Sequence, residues 1–294
     1  MVDNNHGFQI LANALMILLM LFCILPFILL IASSLTSETA LIRNGYSFWP
    51  RDFDVSAYKY LLIDSDSLFR GYVISVFVTL TGTAANMAIT ALFAYPLSRK
   101  DLPGRNFFSF AIFFTMLFSG GLVPTYMMWT QTFHIKNTLW ALIVPGMLMN
   151  AFNVIMMRTY LNLNIPDAII ESAKIDGSGE MRILIQLILP MSLPILSTLT
   201  LLIGLGYWNN WINGLYYINQ DKYFSIQHLL NKMLMDTQFL KSTAGAKLNI
   251  DTRQMPSTAI KMAVAVMGSL PIIVVYPFFQ RYFVKGITIG AVKG

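Results

Sequence analysis

Six long stretches of this chain contain no Asp, Glu, Lys or Arg, and they limit the possible folds severely. Even the shortest, residues 262–280, approaches the roughly 20 apolar residues that a helix needs to cross a bilayer. Backbone amides in lipid must bond internally, and the alternation typical of membrane β-barrels does not occur. The sequence therefore predicts an all-α polytopic membrane protein with six transmembrane helices. The predicted spans are 9–33, 71–97, 107–130, 138–158, 183–213 and 258–283.

The composition supports a membrane location. Only 12% of the 294 residues are charged, whereas a soluble chain carries about 25%. The first apolar run is too long for a signal peptide and follows no basic segment, which predicts a retained span. The single cysteine, Cys23, excludes a disulfide within the chain, and the scattered basic residues indicate no nucleic-acid partner. We expect a single transmembrane domain, residues 1–294.

Six spans place both termini on one side, together with loops 98–106 and 159–182. Lys and Arg are denser along this side, which favours cytoplasmic termini under the positive-inside rule. The tryptophans all fall at span ends facing the opposite side. They form either a one-sided interfacial belt or an aromatic mouth for sugar rings. These residues are Trp49, Trp129, Trp140, Trp208 and Trp211.

Residues 164–177 predict a short helix on the membrane surface. Pro166 and Asp167 suit a helix start, because proline lacks an N–H and the carboxylate faces the positive helix end. Ile170 and Ala173 share one face, and Gly177 is a natural left-handed stop. The expected length is about 11 residues, too short to cross a bilayer. On these grounds alone the segment could be a plain surface connector.

The run Glu171-Ser172-Ala173, followed by Gly177 and Leu189-Pro190, resembles the signature loop of importer-type ABC permeases. That pattern reads Glu-Ala-Ala, three residues, Gly, nine residues, Ile, any residue, Leu-Pro. The spacing fits throughout, although Ser172 replaces an alanine and Leu187 an isoleucine. The resemblance implies a coupling helix that docks on a cytoplasmic ATPase. It also implies cytoplasmic termini. The expected ATPase-coupling residues are Glu171, Ser172, Ala173, Asp176 and Gly177.

Segments 44–50 and 206–211 are similar to carbohydrate permeases of the maltose-type class, and segment 280–294 resembles the tail of the second permease subunit of that class. The nearest resemblance is to polysaccharide and complex-oligosaccharide importers of Gram-positive bacteria. The implied partners are a second homologous permease, two ATPase subunits and an extracellular sugar-binding lipoprotein. ATP and magnesium would be bound by the ATPase, so this chain would hold no cofactor and would not be an enzyme. The implied location is the plasma membrane of a Gram-positive bacterium.

The sequence lacks the residues that nucleotide binding, metal binding or hydrolysis would require. No Gly-x-x-x-x-Gly-Lys-Ser/Thr phosphate loop occurs, and His6, His134 and His228 have no metal-ligand spacing. No membrane-depth base accompanies serines such as Ser192 or Ser197, which argues against an intramembrane hydrolase. An ion-coupled secondary transporter is the alternative, although such proteins usually keep ionisable residues at membrane depth. Sensitivity to ATP depletion or to an uncoupler would distinguish the two.

The remaining site predictions concern a hinge in the fifth span and the path of the substrate. Pro190 and Pro194 are hinge candidates in the fifth span, with a static kink as the alternative. Polar side chains at membrane depth either face a cavity or join helices by hydrogen bonds. The substrate-path candidates are Tyr126, Asn150, Trp208, Asn209, Asn210 and Trp211, and Asn86 and Asn153 are further cavity candidates.

Two segments outside the spans have expected contacts. In loop 214–257, helical spacing over 224–234 predicts an extracellular helix, followed by an arm, 242–251, that contacts the binding protein. The alternative is a lid over the bundle. The glycines of the tail predict flexibility in the isolated chain. The resemblance to second permease subunits implies that the tail becomes ordered at the ATPase interface. Its residues are Ile287, Gly290, Lys293 and Gly294.

Overall fold

The computed structural model describes residues 6–61, 66–241 and 258–291, with side chains over 7–61, 66–236 and 258–280. Within these ranges the regular structure is helical, with only an isolated antiparallel bridge between Thr36 and Phe53. This confirms the all-α class for the described part. The helices are α1 His6–Ser34, α2 Glu38–Asn44, α3 Ser56–Lys59, α4 Asp66–Ser98, α5 Arg105–Leu117, α6 Leu122–Met127, α7 Trp140–Ile143, α8 Ala151–Asn164, α9 Asp167–Ile175, α10 Glu180–Ile183, α11 Leu189–Met191, α12 Leu193–Trp208, α13 Ile212–Tyr217, α14 Ile226–Lys241 and α15 Thr258–Ala291. Wider π-helical turns, Met128–Thr132 and Leu184–Ile188, follow α6 and α10, and a 3₁₀ turn, Asp221–Tyr223, precedes α14.

Three helices in the described part are long and apolar enough to cross a membrane. They are Gly7–Ser34, Asp66–Ser98 and Thr258–Gln280. Two further helix pairs qualify if each is one bent span. Arg105–Leu117 and Leu122–Thr132 meet at 109°, and Glu180–Met191 and Leu193–Trp208 meet at 85°.

The fourth predicted span, 138–158, is not one helix, and this corrects the sequence prediction. The chain leaves α7 at Ile143, runs irregularly through 144–150 and re-enters a helix at Ala151. Pro145 cannot donate a backbone hydrogen bond, and Gly146 has a φ of 68°. A left-handed glycine directly after a proline ends the helix, whatever the hydropathy of the segment.

The chain divides into two units, of which the first comprises residues 1–69 and 229–271. Here the carboxylate of Glu38 accepts hydrogen bonds from the backbone N–H groups of Thr258 and Ala259, both at 2.9 Å. This carboxylate satisfies the first donors of α15 and faces the positive end of its dipole. The hydroxyls of Ser34 and Tyr58 are 2.7 Å apart.

The second unit comprises residues 70–228 and 272–294. One face of α4 is buried and carries mainly small side chains, which allow neighbouring helices to approach closely. These residues are Ser75, Val78, Gly82, Asn86, Thr90 and Ala94. At Gly82 the ring of Tyr207 lies directly over the glycine Cα, where an added Cβ would be 2.5 Å from the ring.

The structure describes parts of loop 214–257 and of the C-terminal tail, for which the sequence also made predictions. Helix α14 covers the segment where an extracellular helix was expected, and Ile226 is almost fully buried. The arm 242–251 lies outside the described residues. Helix α15 continues to Ala291, so Ile287 and Gly290 lie in a helix instead of the flexible segment that the glycines predicted. Lys293 and Gly294 lie outside the described residues.

Candidate coupling surface and substrate path

Helix α9 forms where the sequence predicts a short helix, and its role in coupling stays a prediction. It spans nine residues, slightly fewer than expected, because the helical conformation already ends at Asp176. Gly177 has a φ of 77°, the left-handed stop that the sequence predicted. The N–H of Ser178 donates to the carbonyl of Ala173 at 2.9 Å, as in a Schellman cap. The motif glycine is therefore required by the backbone conformation.

The two faces of α9 differ sharply. Ile170 and Ala173 are buried within the second unit, to which α9 belongs. Glu171 and Ser172 are exposed, and Ile175 is 86% exposed. The outer face thus presents charged, small and apolar groups together, a composition suited to contact with another protein.

Charged side chains join α9 to the segment that follows α4. The ammonium of Lys174 lies 2.8 Å from Glu180 and 3.2 Å from Asp101. Arg99 binds Asp101 through two nitrogens, at 2.8 and 3.0 Å. The hydroxyl of Tyr95, on the last turns of α4, donates to Glu180. We call these five residues the coupling cluster; none of them was predicted from the sequence as part of a site.

A second pair, Lys100 and Asp167 at 2.8 Å, ties the start of α9 to the same loop. Hydrogen bonds from Arg99, and then from Lys174, hold the pKa of the Asp101 carboxyl well below its usual range. The hydrogen bond to Glu180, and then that to Asp101, raises the pKa of Lys174. The Arg99 side chain is only 13% exposed, but the other charged groups are more exposed, so these pairs orient α9 more than they stabilise the fold.

The hinge candidates lie on either side of a sharp bend. Pro190 is in α11, Pro194 is in α12, and the helix breaks at Ser192 between them. The two segments meet at 85°. Proline removes the backbone donor and clashes with the preceding turn, which accounts for a break at this place. Movement about the bend stays a prediction.

Three buried side chains donate hydrogen bonds to carbonyls in the irregular segment 144–150 and at Ile143 directly before it. The amide of Asn86 donates to the carbonyl of Met147, and Asn213 donates to that of Pro145 at 2.9 Å. The hydroxyl of Tyr207 donates to the carbonyl of Ile143 at 3.0 Å. A buried carbonyl without a hydrogen-bond donor is costly, and these three donors offset that cost. For Asn86, the structure favours the helix-joining role over a cavity role.

Most of the predicted substrate-path residues have local structural partners. Asn150 caps α8 by accepting from the N–H of Phe152 at 2.9 Å, and Asn210 accepts from that of Asn213 at 3.1 Å. Asn209 accepts from the Gln227 amide at 3.4 Å. Their role in binding substrate stays a prediction.

The aromatic candidates differ in accessibility. Trp208 is only 7% exposed and lies 6.2 Å from the ring of Tyr72, whereas Trp211 is half-buried. Tyr126 is also half-buried and stacks on Tyr217, with ring centroids 5.8 Å apart. Of this group, Tyr126 and Trp211 present more surface to a ligand.

The structure adds Tyr217 and Lys136 to the surroundings of Tyr126. The Lys136 ammonium donates to the Tyr126 hydroxyl at 3.0 Å. The sequence did contain a signal, because Lys136 is the only charged residue between Arg105 and Arg158. A lone cation between two long apolar stretches could have been singled out.

Comparison with known proteins identifies the family. A family model of binding-protein-dependent transport system inner membrane components matches residues 4–289. The chain belongs to this family. The family is a membrane transport component, in agreement with the expectation that this chain is a permease and not an enzyme. It gives no support to the ion-coupled alternative.

Two curated relatives and one solved structure are similar over nearly the whole chain. The polygalacturonan/rhamnogalacturonan transport system permease protein YtcP of Bacillus subtilis is 36% identical, covering 99% of both chains. Protein LplC of B. subtilis is 38% identical over 92% of this chain and 90% of its own. A bacterial ABC transporter involved in the import of the acidic polysaccharide alginate matches with a TM-score of 0.82 and 29% identity. It covers 96% of this chain and 99% of its own.

Proposed function

We propose that this chain is one of two permease subunits of an ATP-driven importer that moves oligosaccharides into the cytoplasm. The observation that carries the proposal is α9. This short helix ends at a left-handed glycine at the family's motif spacing, is fixed by ion pairs on one side and is exposed on the other. The named relatives support the substrate class.

The proposed assembly has four kinds of component. A second homologous permease completes the pore, two ATPase subunits lie on the cytoplasmic side, and an extracellular sugar-binding lipoprotein delivers the glycan. ATP and magnesium would be bound by the ATPases. In the proposed topology six segments cross the plasma membrane, the fourth of them broken at 144–150, and both termini and α9 are cytoplasmic. The Bacillus relatives support a Gram-positive host.

The proposed mechanism starts from α9. Closure of the ATPases on ATP would displace the exposed face around Glu171 and Asp176. The coupling cluster would pass this displacement to the end of α4, because Lys174 contacts both Asp101 and Glu180. The bend between Pro190 and Pro194 would let α12 turn while α9 moves as a unit. The substrate path would run near Tyr126, Asn150, Trp208, Asn209, Asn210 and Trp211.

Gly177→Arg tests the proposal, with Gly179→Arg as its matched control. A Cβ added at either glycine would meet no atom within 4 Å, but only Gly177 has a positive φ, whereas Gly179 has a φ of −73°. Gly177→Arg should abolish glycan uptake while the protein still reaches the membrane, since it distorts the coupling surface and not the core. Gly179→Arg should retain uptake.

The measurements are uptake of a labelled oligosaccharide and the amount of each variant in membrane fractions. Normal uptake by Gly177→Arg would contradict the coupling role of this segment. Uptake that persists without ATP and stops with an uncoupler would instead favour an ion-coupled carrier.

A further inference from the structure

The ends of three segments meet around Tyr126. This residue comes from α6, Lys136 from the loop before α7, and Tyr217 from the end of α13. The rings of Tyr126 and Tyr217 are nearly parallel, at 13°, and the Lys136 nitrogen lies 5.7 Å from the centre of the Tyr126 ring. Tyr217 is 3% exposed, so it is the buried support, and Tyr126 is the half-exposed member of the stack.

Asn137 holds this arrangement together. Its N–H donates to the carbonyl of Tyr217 at 3.0 Å, and its side-chain oxygen accepts from the N–H of Asn219 at 2.6 Å. Its φ of 57° is left-handed, a conformation that asparagine tolerates better than most residues. The loop that carries Lys136 is therefore fixed to the segment that carries Tyr217, which gives the site its preorganisation.

The charge of Lys136 has one described contact. The side chain is half-buried, and its described hydrogen bond goes to the neutral hydroxyl of Tyr126. None of the ion pairs within the described ranges 7–61, 66–236 and 258–280 includes it. An ammonium has three donors, so two can still serve an anionic ligand.

We propose that Tyr126, Lys136 and Tyr217 form a subsite for a sugar that bears a carboxylate. The apolar face of a sugar ring packs on Tyr126, and the carboxylate binds the Lys136 ammonium in a charge-assisted hydrogen bond. The proposal rests on the proposed function and narrows it to acidic oligosaccharides. The relatives named for polygalacturonan and alginate transport agree with this class.

The test uses the assembled transporter in cells and two probes, labelled trigalacturonate and the same trisaccharide with its carboxyl groups reduced to alcohols. Lys136→Met should lower the uptake of trigalacturonate about tenfold or more, the size expected for one charged hydrogen bond. It should leave uptake of the neutral probe unchanged. Lys136→Arg should retain most of the acidic uptake, because it keeps the charge.

Lys222→Met is the matched control. The Lys222 nitrogen also lies near a tyrosine ring, 4.8 Å from the centre of the Tyr223 ring, but Lys222 is exposed and outside the stack. This variant should not change the ratio of acidic to neutral uptake. The amount of each variant in the membrane corrects for folding, and the ratio of the two probes is independent of expression.

The outcomes separate the two proposals. If the unaltered transporter imports only the neutral probe, the acidic subsite is wrong and the proposed function stands. If neither probe nor any other glycan is imported, the proposed function itself fails. Equal loss of both probes in Lys136→Met would mean that the lysine anchors the fold or a lipid headgroup, and this result would overturn the subsite.

Discussion

Gly82→Ala and Gly204→Ala make the same chemical change on helices that face each other, and the structure predicts opposite effects. A Cβ at Gly82 would lie 2.5 Å from two carbons of the Tyr207 ring, whereas carbon atoms prefer about 3.5–4.0 Å. The ring must therefore withdraw by about 1 Å. A Cβ at Gly204 would lie 3.6 Å from the Thr83 hydroxyl, an ordinary contact.

The withdrawal has a second consequence. The Tyr207 hydroxyl is 3.0 Å from the carbonyl of Ile143, and a shift of about 1 Å would break that hydrogen bond. Overpacking costs about 1–3 kcal/mol, and a hydrogen bond within a membrane contributes about 0.6 kcal/mol on average. Alanine recovers up to about 1 kcal/mol over glycine in a helix. We expect Gly82→Ala to lower the free energy of unfolding by about 1–2.5 kcal/mol. Gly204→Ala should raise it by up to about 1 kcal/mol.

The assay is equilibrium unfolding of the purified protein in mixed micelles, followed by the fluorescence of its tryptophans. Tyr207→Leu in the Gly82→Ala background removes the ring and should cancel part of the loss, which a double-mutant cycle measures. The packing argument is refuted if Gly82→Ala is as stable as Gly204→Ala, or if the two substitutions at 82 and 207 act independently.

Three further predictions concern coupling and partners. Lys174→Met should reduce glycan-stimulated ATP hydrolysis more than Lys100→Met does, because Lys174 contacts two carboxylates and Lys100 one; equal rates in the assembled complex would contradict this. A photocrosslinker at Thr243 should capture the binding protein during turnover, and repeated failure to do so would leave loop 214–257 as a lid. Deleting residues 289–294 should lower stimulated ATP hydrolysis more than assembly, measured by co-purification, and full activity would exclude a role for the tail.

The structural features best predicted from the sequence are those that depend on neighbouring residues alone. The charge-free stretches around α1, α4 and α15 correspond to long helices, because hydropathy over 20 residues depends on those residues alone. The same holds for Gly177, whose left-handed conformation follows from the absence of a side chain. Hydropathy cannot reveal a break such as 144–150, since the segment stays apolar while its backbone conformation changes.

The unpredicted parts depend on contacts distant in sequence. The carbonyls of the break are satisfied by Asn86, Tyr207 and Asn213, which come from other helices. The coupling cluster likewise joins Asp101 to Lys174 across 73 residues. A loop charge in a sequence is usually a solvated side chain, so such pairings become visible only in three dimensions.

The cap that Glu38 places on α15 has a consequence for biosynthesis. The Glu38 carboxylate accepts from the N–H groups of Thr258 and Ala259, which follow it by 220 and 221 residues. At about 5–20 residues per second, roughly 10–40 s of translation pass between the two ends of this contact. The segment that carries Glu38 therefore forms these hydrogen bonds only after the ribosome has reached α15. Chains truncated before Thr258 would leave this acid without its native contact, and a protease probing nascent chains should cleave near Glu38 until that point.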